Sequence, residues 1–146
     1  MEEIVRAIDD SYEETDVHQA LIIVDSDSDT EELVPMLQDR GYPVIGITYD
    51  ATQESEGRAY STLRLCMYRD RYARVLVMTY AAWRTLSDIL EEYVCNHNLL
   101  LLDPGMDRNT MDRVLRWTSG AIRRGFWRPG PYRLAIGDSF SDMELV

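Results

Sequence analysis

Arginine is the residue type in this sequence whose chemistry and distribution point most directly to a ligand. All fifteen basic residues are arginine, and seven of them fall within residues 108–133, where Asp112 is the only acid. A guanidinium binds phosphate or carboxylate through two parallel hydrogen bonds and stacks on aromatic rings. Residues 1–55 carry fifteen acids against Arg6 and Arg40. The pattern predicts a polarised molecule with a basic region suited to phosphate or carboxylate groups; a lineage bias towards arginine is the alternative explanation.

Composition limits the classes of protein to consider. The 146 residues suffice for one domain, residues 1–146, and the net charge of −11 has the wrong sign for a strong nucleic-acid binder. No apolar run approaches the ~20 residues of a membrane span, and the acidic amino terminus does not resemble a signal peptide. We therefore expect a cytoplasmic protein without membrane contact. Cys66 and Cys95 lack the spacing of a zinc site or a disulfide framework, so we expect free thiols and no bound metal.

The elements that would position these side chains alternate between strand and helix. Five aliphatic segments have the composition of buried parallel strands: residues 20–24, 44–47, 74–79, 99–102 and 132–136. Amphipathic patterns predict helices over residues 3–13, 30–40, 54–68, 81–94 and 109–122. Thr85 and Ser87 suggest an irregular start to the fourth helix, and Asn109 or Thr110 is the expected cap of the fifth. The alternation predicts an α/β domain with a mostly parallel sheet and helices on both faces.

Polar or turn-forming residues follow each predicted strand. They are residues 25–28, 48–50, 79–83, 103–105 and 137–139. In open parallel sheets, ligands bind beyond the carboxyl ends of the strands, so we expect the functional site at this edge.

Several of these strings resemble the C-terminal lobe of DEAD-box RNA helicases of superfamily 2. Residues 20–27 are similar to motif IV, residues 74–86 to motif V, and residues 98–105 to the strand and proline turn before motif VI. Residues 111–124 occupy the position of the helix that carries motif VI. The resemblance implies one RecA-like, three-layer α/β/α domain whose mostly parallel sheet has five or more strands.

The positions that contact ATP in the family have largely been replaced. Ser87 stands where the family has an acid that meets the ribose, and Asp88 follows one place later. Serine and isoleucine stand at the arginine-finger positions of motif VI, and the nearest arginines are Arg123 and Arg124, displaced by ~100° to 200° around the helix. Such fingers contribute ~10³ to 10⁵ in rate. The resemblance implies no catalytic residue and no cofactor in this domain alone, with ATP and Mg²⁺ binding only alongside a first lobe.

The RNA-contacting positions of the family are better matched. Thr79 and Arg84 agree with motif V, Ser26 lies in motif IV, and Gln53 with Arg58 is similar to the Q-x-x-R element with two additional residues between them. These four positions, Ser26, Gln53, Thr79 and Arg84, imply weak RNA contact that does not depend on base sequence. In the structural alternative, Thr79 merely ends a strand, and Arg84 caps a carbonyl or pairs with Asp88 or Glu91.

A helicase lobe that has lost hydrolysis also offers a surface for protein assembly. Aromatic and arginine side chains are favoured in interface cores, which makes Trp83, Phe126, Trp127 and Arg128 interface candidates, whereas core packing is expected for Trp117. The erosion resembles that of the Yb-type Tudor-domain helicase-like proteins of the piRNA pathway, which implies protein partners in RNA-mediated silencing and location in ribonucleoprotein granules. The opposite charges of the two ends of the chain predict self-association as a homodimer.

Two alternatives belong to enzymes. The first is a working second lobe whose parent protein is an ATP-dependent RNA helicase. The second is a phosphatase, because the positions of Asp25, Asp27, Thr79, Asp138 and Asp142 resemble the haloacid dehalogenase motifs. That resemblance implies Asp25 as nucleophile, Asp27 as acid/base and the last two aspartates as Mg²⁺ ligands. It also requires a cation, almost always lysine, and the chain has none.

Overall fold

A computed structural model shows a parallel β-sheet between two layers of helices. It describes residues 1–14, 19–94, 99–124, 132–136 and 139–143. The strands are β1 Ala20–Val24, β2 Val44–Ile47, β3 Val75–Thr79, β4 Leu99–Leu102, β5 Tyr132–Ile136 and β6 Ser139–Met143. The helices are α1 Glu2–Glu14, α2 Asp27–Asp39, α3 Tyr49–Gln53, α4 Gly57–Arg69, α5 Tyr80–Tyr93 and α6 Arg108–Arg123.

The sheet is built around β1. Strands β2, β3, β1 and β4 lie side by side in that order and are all parallel, as their registers show. Beyond β4, the backbone pairs with β5 in parallel, and β6 pairs with β5 in the antiparallel sense. The four parallel strands and the helices between them confirm the predicted α/β class.

Side chains alternate between the two faces of the sheet and pack into two separate hydrophobic cores. On one face, the side chains of Leu21, Ile23, Leu76 and Met78 pack with α4, α5 and α6. On the other face, Ile22, Val24, Val75 and Val77 pack with α1 and α2. Strands β1, β3 and β4 are buried throughout because both their faces are covered. Among the described residues, no helix is long and apolar enough to span a membrane.

Four predicted helix boundaries were wrong, and one was confirmed. Helix α2 begins at Asp27, within the stretch predicted as a turn, and not at residue 30, because Ser26 caps it by accepting from the Asp29 amide. The third helix is preceded by the short α3 and begins only at Gly57, because Glu56 takes a left-handed conformation (φ 62°) that breaks the helical path. Helix α5 starts directly at Tyr80, without the irregular stretch, and α6 is capped by Asp107. Gly41 (φ 91°) ends α2 as predicted, with its N–H donating to the Gln38 carbonyl.

Candidate functional site at the strand tips

Asp27, the first residue of α2, joins the carboxyl ends of three strands. Its Oδ1 accepts hydrogen bonds from the Tyr49 amide (2.7 Å) and the Thr79 hydroxyl (2.6 Å), and its Oδ2 accepts from the Asp50 amide (3.1 Å). Tyr49 begins α3 just after β2, and Thr79 ends β3. One carboxylate that follows β1 therefore holds both the start of α3 and the start of α5.

A second hydroxyl extends this arrangement. The Thr79 and Thr30 hydroxyl oxygens lie 2.9 Å apart, and both side chains are buried. A threonine has one hydroxyl proton, and Thr79 directs its own to the Asp27 carboxylate, so Thr30 is the donor to Thr79. Desolvation raises the pKa of Asp27, but the hydrogen bonds from Thr79, Tyr49 and Asp50 together outweigh it and lower this pKa below its usual value. The carboxylate is held ionised.

Asp103 performs a similar role on the other side of β1. This residue is buried; its Oδ2 accepts from the Asp25 amide (3.2 Å), and its Oδ1 accepts from the Gly105 amide (2.9 Å). Its own amide donates to the Ile23 carbonyl at 2.9 Å. The tips of β1 and β4 are thereby fixed to each other. Desolvation, followed by repulsion from nearby carboxylates including Asp103, raises the pKa of the exposed Asp25.

Arg84 lies at a cavity beside the Asp27 junction. The cavity measures about 490 Å³ and is lined by Tyr49, Tyr80, Ala81, Arg84 and Thr85. Arg84 is exposed, and within the described part of the chain its guanidinium has no hydrogen-bond or ion-pair partner. Tyr80 stacks on Trp83 with ring centroids 5.6 Å apart, so one wall of the cavity is supported by the core. A cation and two phenol rings suit a ligand that combines an anionic group with a flat ring.

The four predicted RNA-contact residues have different surroundings. Ser26 caps α2, its hydroxyl accepting from the Asp29 amide at 3.2 Å. Thr79 is only 3% exposed, so its hydroxyl serves Asp27 and Thr30 rather than solvent. Gln53 is exposed at the end of α3, and Arg84 is exposed in α5. Only Arg84 and Gln53 thus offer a side chain to a ligand, and of these two Arg84 lines the cavity.

The candidate nucleotide contacts are engaged on the surface. Asp88 pairs with Arg58 at 2.5 Å, and Arg124 pairs with Glu91. Both acids proposed as alternative partners of Arg84 are therefore paired with other arginines. Arg123 is exposed and has contacts of its own.

The interface candidates divide into a buried and an undescribed group. Trp83 is 4% exposed and meets Trp117 edge-on with ring centroids 5.4 Å apart. Its position in the core leaves it little surface for a partner. Trp117 is half-buried and packs against the same core, in line with the packing expected for it. Phe126, Trp127 and Arg128 lie outside the described residues.

The structure describes only some of the residues on which the phosphatase alternative depends. Asp27 already accepts two amide protons and a hydroxyl proton, which leaves little freedom for acid/base exchange. Asp138 and the side chain of Asp142 lie outside the described residues. Within the part of the chain that the structure describes, no group of three or more potential metal ligands occurs.

Sequence reasoning missed Tyr49 and Tyr80, which complete the cavity. Each tyrosine is the first residue of a helix that follows a strand, and both fall within strand ends expected to form the site. An aromatic residue at two such ends was the available signal. No family model matches the chain, and no curated protein matches it.

Proposed function

We propose that this chain is a non-hydrolysing, RecA-like helicase C-terminal lobe that binds single-stranded RNA weakly through Arg84 at the strand-tip cavity. The observation that carries the proposal is the exposed Arg84 guanidinium beside Tyr49 and Tyr80, which has no ion-pair or hydrogen-bond partner among the residues that the structure describes. By contrast, Arg40, Arg58, Arg69 and Arg124 each pair with a carboxylate. A guanidinium without an internal partner retains its full capacity for phosphate.

Weak binding follows from the surroundings of the cavity. The net charge of −11 repels the RNA backbone, and Asp27 and Asp50 are neighbours of Tyr49. Arginine and aromatic contacts to phosphate and base faces tolerate any sequence. The proposal therefore includes affinity that falls steeply with salt and little preference among bases.

Two surface ion pairs support the proposal that this lobe does not hydrolyse ATP. Asp88 would have to leave Arg58 before it met a ribose, and Arg124 would have to leave Glu91 before it met a phosphate. The working-helicase alternative is tested in the two-lobed parent protein, where ATP turnover that disappears with the Arg123 and Arg124 double substitution would support it. RNA silencing in the cytoplasm, as in Yb-type proteins, remains the proposed setting.

A fluorescence-anisotropy titration with labelled oligouridylate tests the role of Arg84. We expect Arg84→Gln to weaken binding about tenfold and to reduce the slope of log affinity against log salt by about 1. The matched control is Arg71→Gln, which removes the same charge from an exposed residue before β3, at the opposite edge of the sheet. Equal losses in the two variants would show that only net charge matters, and no binding by the wild type would refute RNA binding.

Self-association is the second part of the proposal, and it is supported by the charge polarity of the sequence. Fifteen acids in residues 1–55 and seven arginines in residues 108–133 favour contact between unlike ends of two copies. Light scattering at low and high salt measures it. We expect a mass that decreases towards the monomer as salt screens the attraction. A monomer under both conditions would contradict this part of the proposal without affecting RNA binding.

A further inference from the structure

We infer that Asp27 is a positioning residue for the Arg84 cavity. The cavity has one wall from α3, which contributes Tyr49, and another from α5, which contributes Tyr80 and Arg84. Asp27 belongs to neither helix, but it is hydrogen-bonded to the first two amides of α3 and to the residue that precedes α5. One carboxylate therefore contacts the start of both walls. This inference rests on the proposed RNA binding.

Local capping shows why α3 depends on Asp27. A helix leaves its first amides without internal acceptors, and α3 has only five residues with which to stabilise itself. Thr48 satisfies the Ala51 amide at 3.2 Å, while Asp27 satisfies the amides of Tyr49 and Asp50. A negative charge at this end also interacts favourably with the aligned peptide dipoles. Without the carboxylate, we expect α3 to fray and Tyr49 to leave its place in the cavity.

The other wall is held through Thr79. The Thr79 hydroxyl accepts no capping hydrogen bond from an α5 amide; it donates to Asp27 and accepts from Thr30. Thr79 is the N-cap residue of α5, so fixing its side chain fixes the direction in which the first turn of α5 leaves the sheet. Arg84 stands in the second turn of that helix. Asp27 thus acts on Arg84 through the backbone of α5 and touches no ligand itself.

Asp27→Asn tests this role. Its amide group cannot accept at both positions, so one of the donors it now serves is lost. We expect the loss of cavity geometry to outweigh the removal of a negative charge that repels RNA, so that the affinity for labelled oligouridylate falls about tenfold and hydrogen exchange at the Tyr49 and Asp50 amides accelerates. In the Asp27→Asn/Arg84→Gln double variant, the loss of affinity should be smaller than the sum of the two single losses, because both residues act on the same cavity.

Asp103→Asn is the matched control. Asp103 is another strand-tip aspartate that accepts two backbone amides, but it joins β1 to β4, away from the cavity. We expect affinity within twofold of the wild type. Equal loss of affinity in the two asparagine variants would overturn the inference, as would unchanged affinity in Asp27→Asn. If Asp27→Asn does not fold, Thr79→Val releases α5 alone and should still weaken binding; unchanged affinity there would also overturn it.

The amide-exchange measurement separates this inference from the proposed function. If the wild type binds no oligouridylate, the proposed RNA binding fails, whereas accelerated exchange at Tyr49 and Asp50 in Asp27→Asn would still establish that Asp27 positions α3. If the wild type binds and exchange at these amides is unchanged, the positioning role fails while RNA binding stands.

Discussion

The two sides of β1 use the same residue type to join strand tips, yet they place it in different surroundings. Asp27 is half-buried and links β1 to β2 and β3, with one hydroxyl and two backbone amides as donors. Asp103 is 6% exposed and links β1 to β4 with two backbone amides. The Asp27 side borders the cavity, whereas the Asp103 carboxylate lies in a buried side chain. Because Asp103 is buried, we expect it to act mainly on the stability of the fold. Asp27 is half-buried beside the cavity, so we expect it to affect ligand binding as well.

The electrostatic settings of the two sides also differ. Around Asp27, hydrogen bonds outweigh desolvation and lower the pKa of the carboxyl group. Around Asp25, desolvation is joined by repulsion from Asp103, Asp29 and Asp107, and the pKa is raised. Ionisation of Asp27 therefore stabilises the folded state. Ionisation of Asp25 destabilises it, because several carboxylates lie close together there. This difference teaches that neighbouring strand tips with similar sequences can respond oppositely to the loss of a carboxylate.

The largest effect that separates the two sides is expected from a pair of glycines. A Cβ on Gly57 would lie 2.2 Å from the Ala51 carbonyl oxygen, which is backbone and cannot move aside, so Gly57→Ala should displace α3 or α4. We expect a loss of about 3 kcal/mol in the free energy of unfolding. A Cβ on Gly105, beside Asp103, would lie 3.4 Å from a carboxylate oxygen, an ordinary contact.

Gly105→Ala is therefore the control for Gly57→Ala. We expect it to change the free energy of unfolding by less than about 1 kcal/mol. Urea denaturation of both variants measures the difference. A similar loss of stability in the two variants would show that the helices on the Asp27 side are not packed more closely than the residues around Asp103.

The second prediction compares the aspartates directly. Asp103 is 6% exposed and its two hydrogen bonds are partly buried, so Asp103→Asn, which loses one of them, should cost about 2 kcal/mol in the free energy of unfolding. Asp27→Asn should cost about 1 kcal/mol, because Tyr49 and Asp50 are exposed residues whose amides water can reach. Asp103→Asn should therefore have the larger effect on unfolding, whereas Asp27→Asn should have the larger effect on RNA affinity. Thermal or urea unfolding provides the measurement, and a larger loss for Asp27→Asn would invert the assignment made from burial.

The architecture could be predicted from the sequence because the strongest signals belong to buried strands. Residues 20–24 and 99–102 are continuous aliphatic runs, and the structure buries them on both faces. Helix starts were harder to predict because a single side chain decides them. Asp107 caps α6, although Asn109 or Thr110 was expected to do so. Glu56 interrupts a helix by adopting a left-handed backbone conformation, which glutamate rarely takes and which its residue type does not predict.

The site was predictable only in outline. A parallel sheet requires its strand ends to share an edge, which predicts Thr79 and Arg84 near the strand tips, where the structure has them. Which of them faces solvent depends on the Asp27 and Thr30 side chains, which approach from a separate helix. Such contacts across 49 and 52 positions of sequence have no local pattern. Residue type made Arg84 a candidate, but only the packing showed that Thr79 is buried and that two tyrosines line the same cavity as Arg84.

The smallest expected effect is a difference in how the two sides respond to pH. Asp25 has a raised pKa, so its ionisation disfavours the folded state, and Asp25→Asn should stabilise the protein at neutral pH. This gain should shrink as pH falls towards 3.8, because the wild-type carboxyl group becomes protonated in the folded state above that value. Asp27 has a lowered pKa, so its stabilisation persists at 3.8 and is lost only as pH falls further.

Urea denaturation of the wild type, Asp25→Asn and Asp27→Asn across a pH series measures both responses. Near neutral pH the two substitutions should change the free energy of unfolding in opposite directions. High salt should reduce the Asp25→Asn gain, part of which comes from repulsion among carboxylates, and should change the Asp27→Asn loss less, because that loss comes from short hydrogen bonds. If Asp25→Asn destabilised the protein at neutral pH, the negative charge at the β1 and β4 tips would be favourable, and the contrast between the two sides of β1 would be reduced to burial alone.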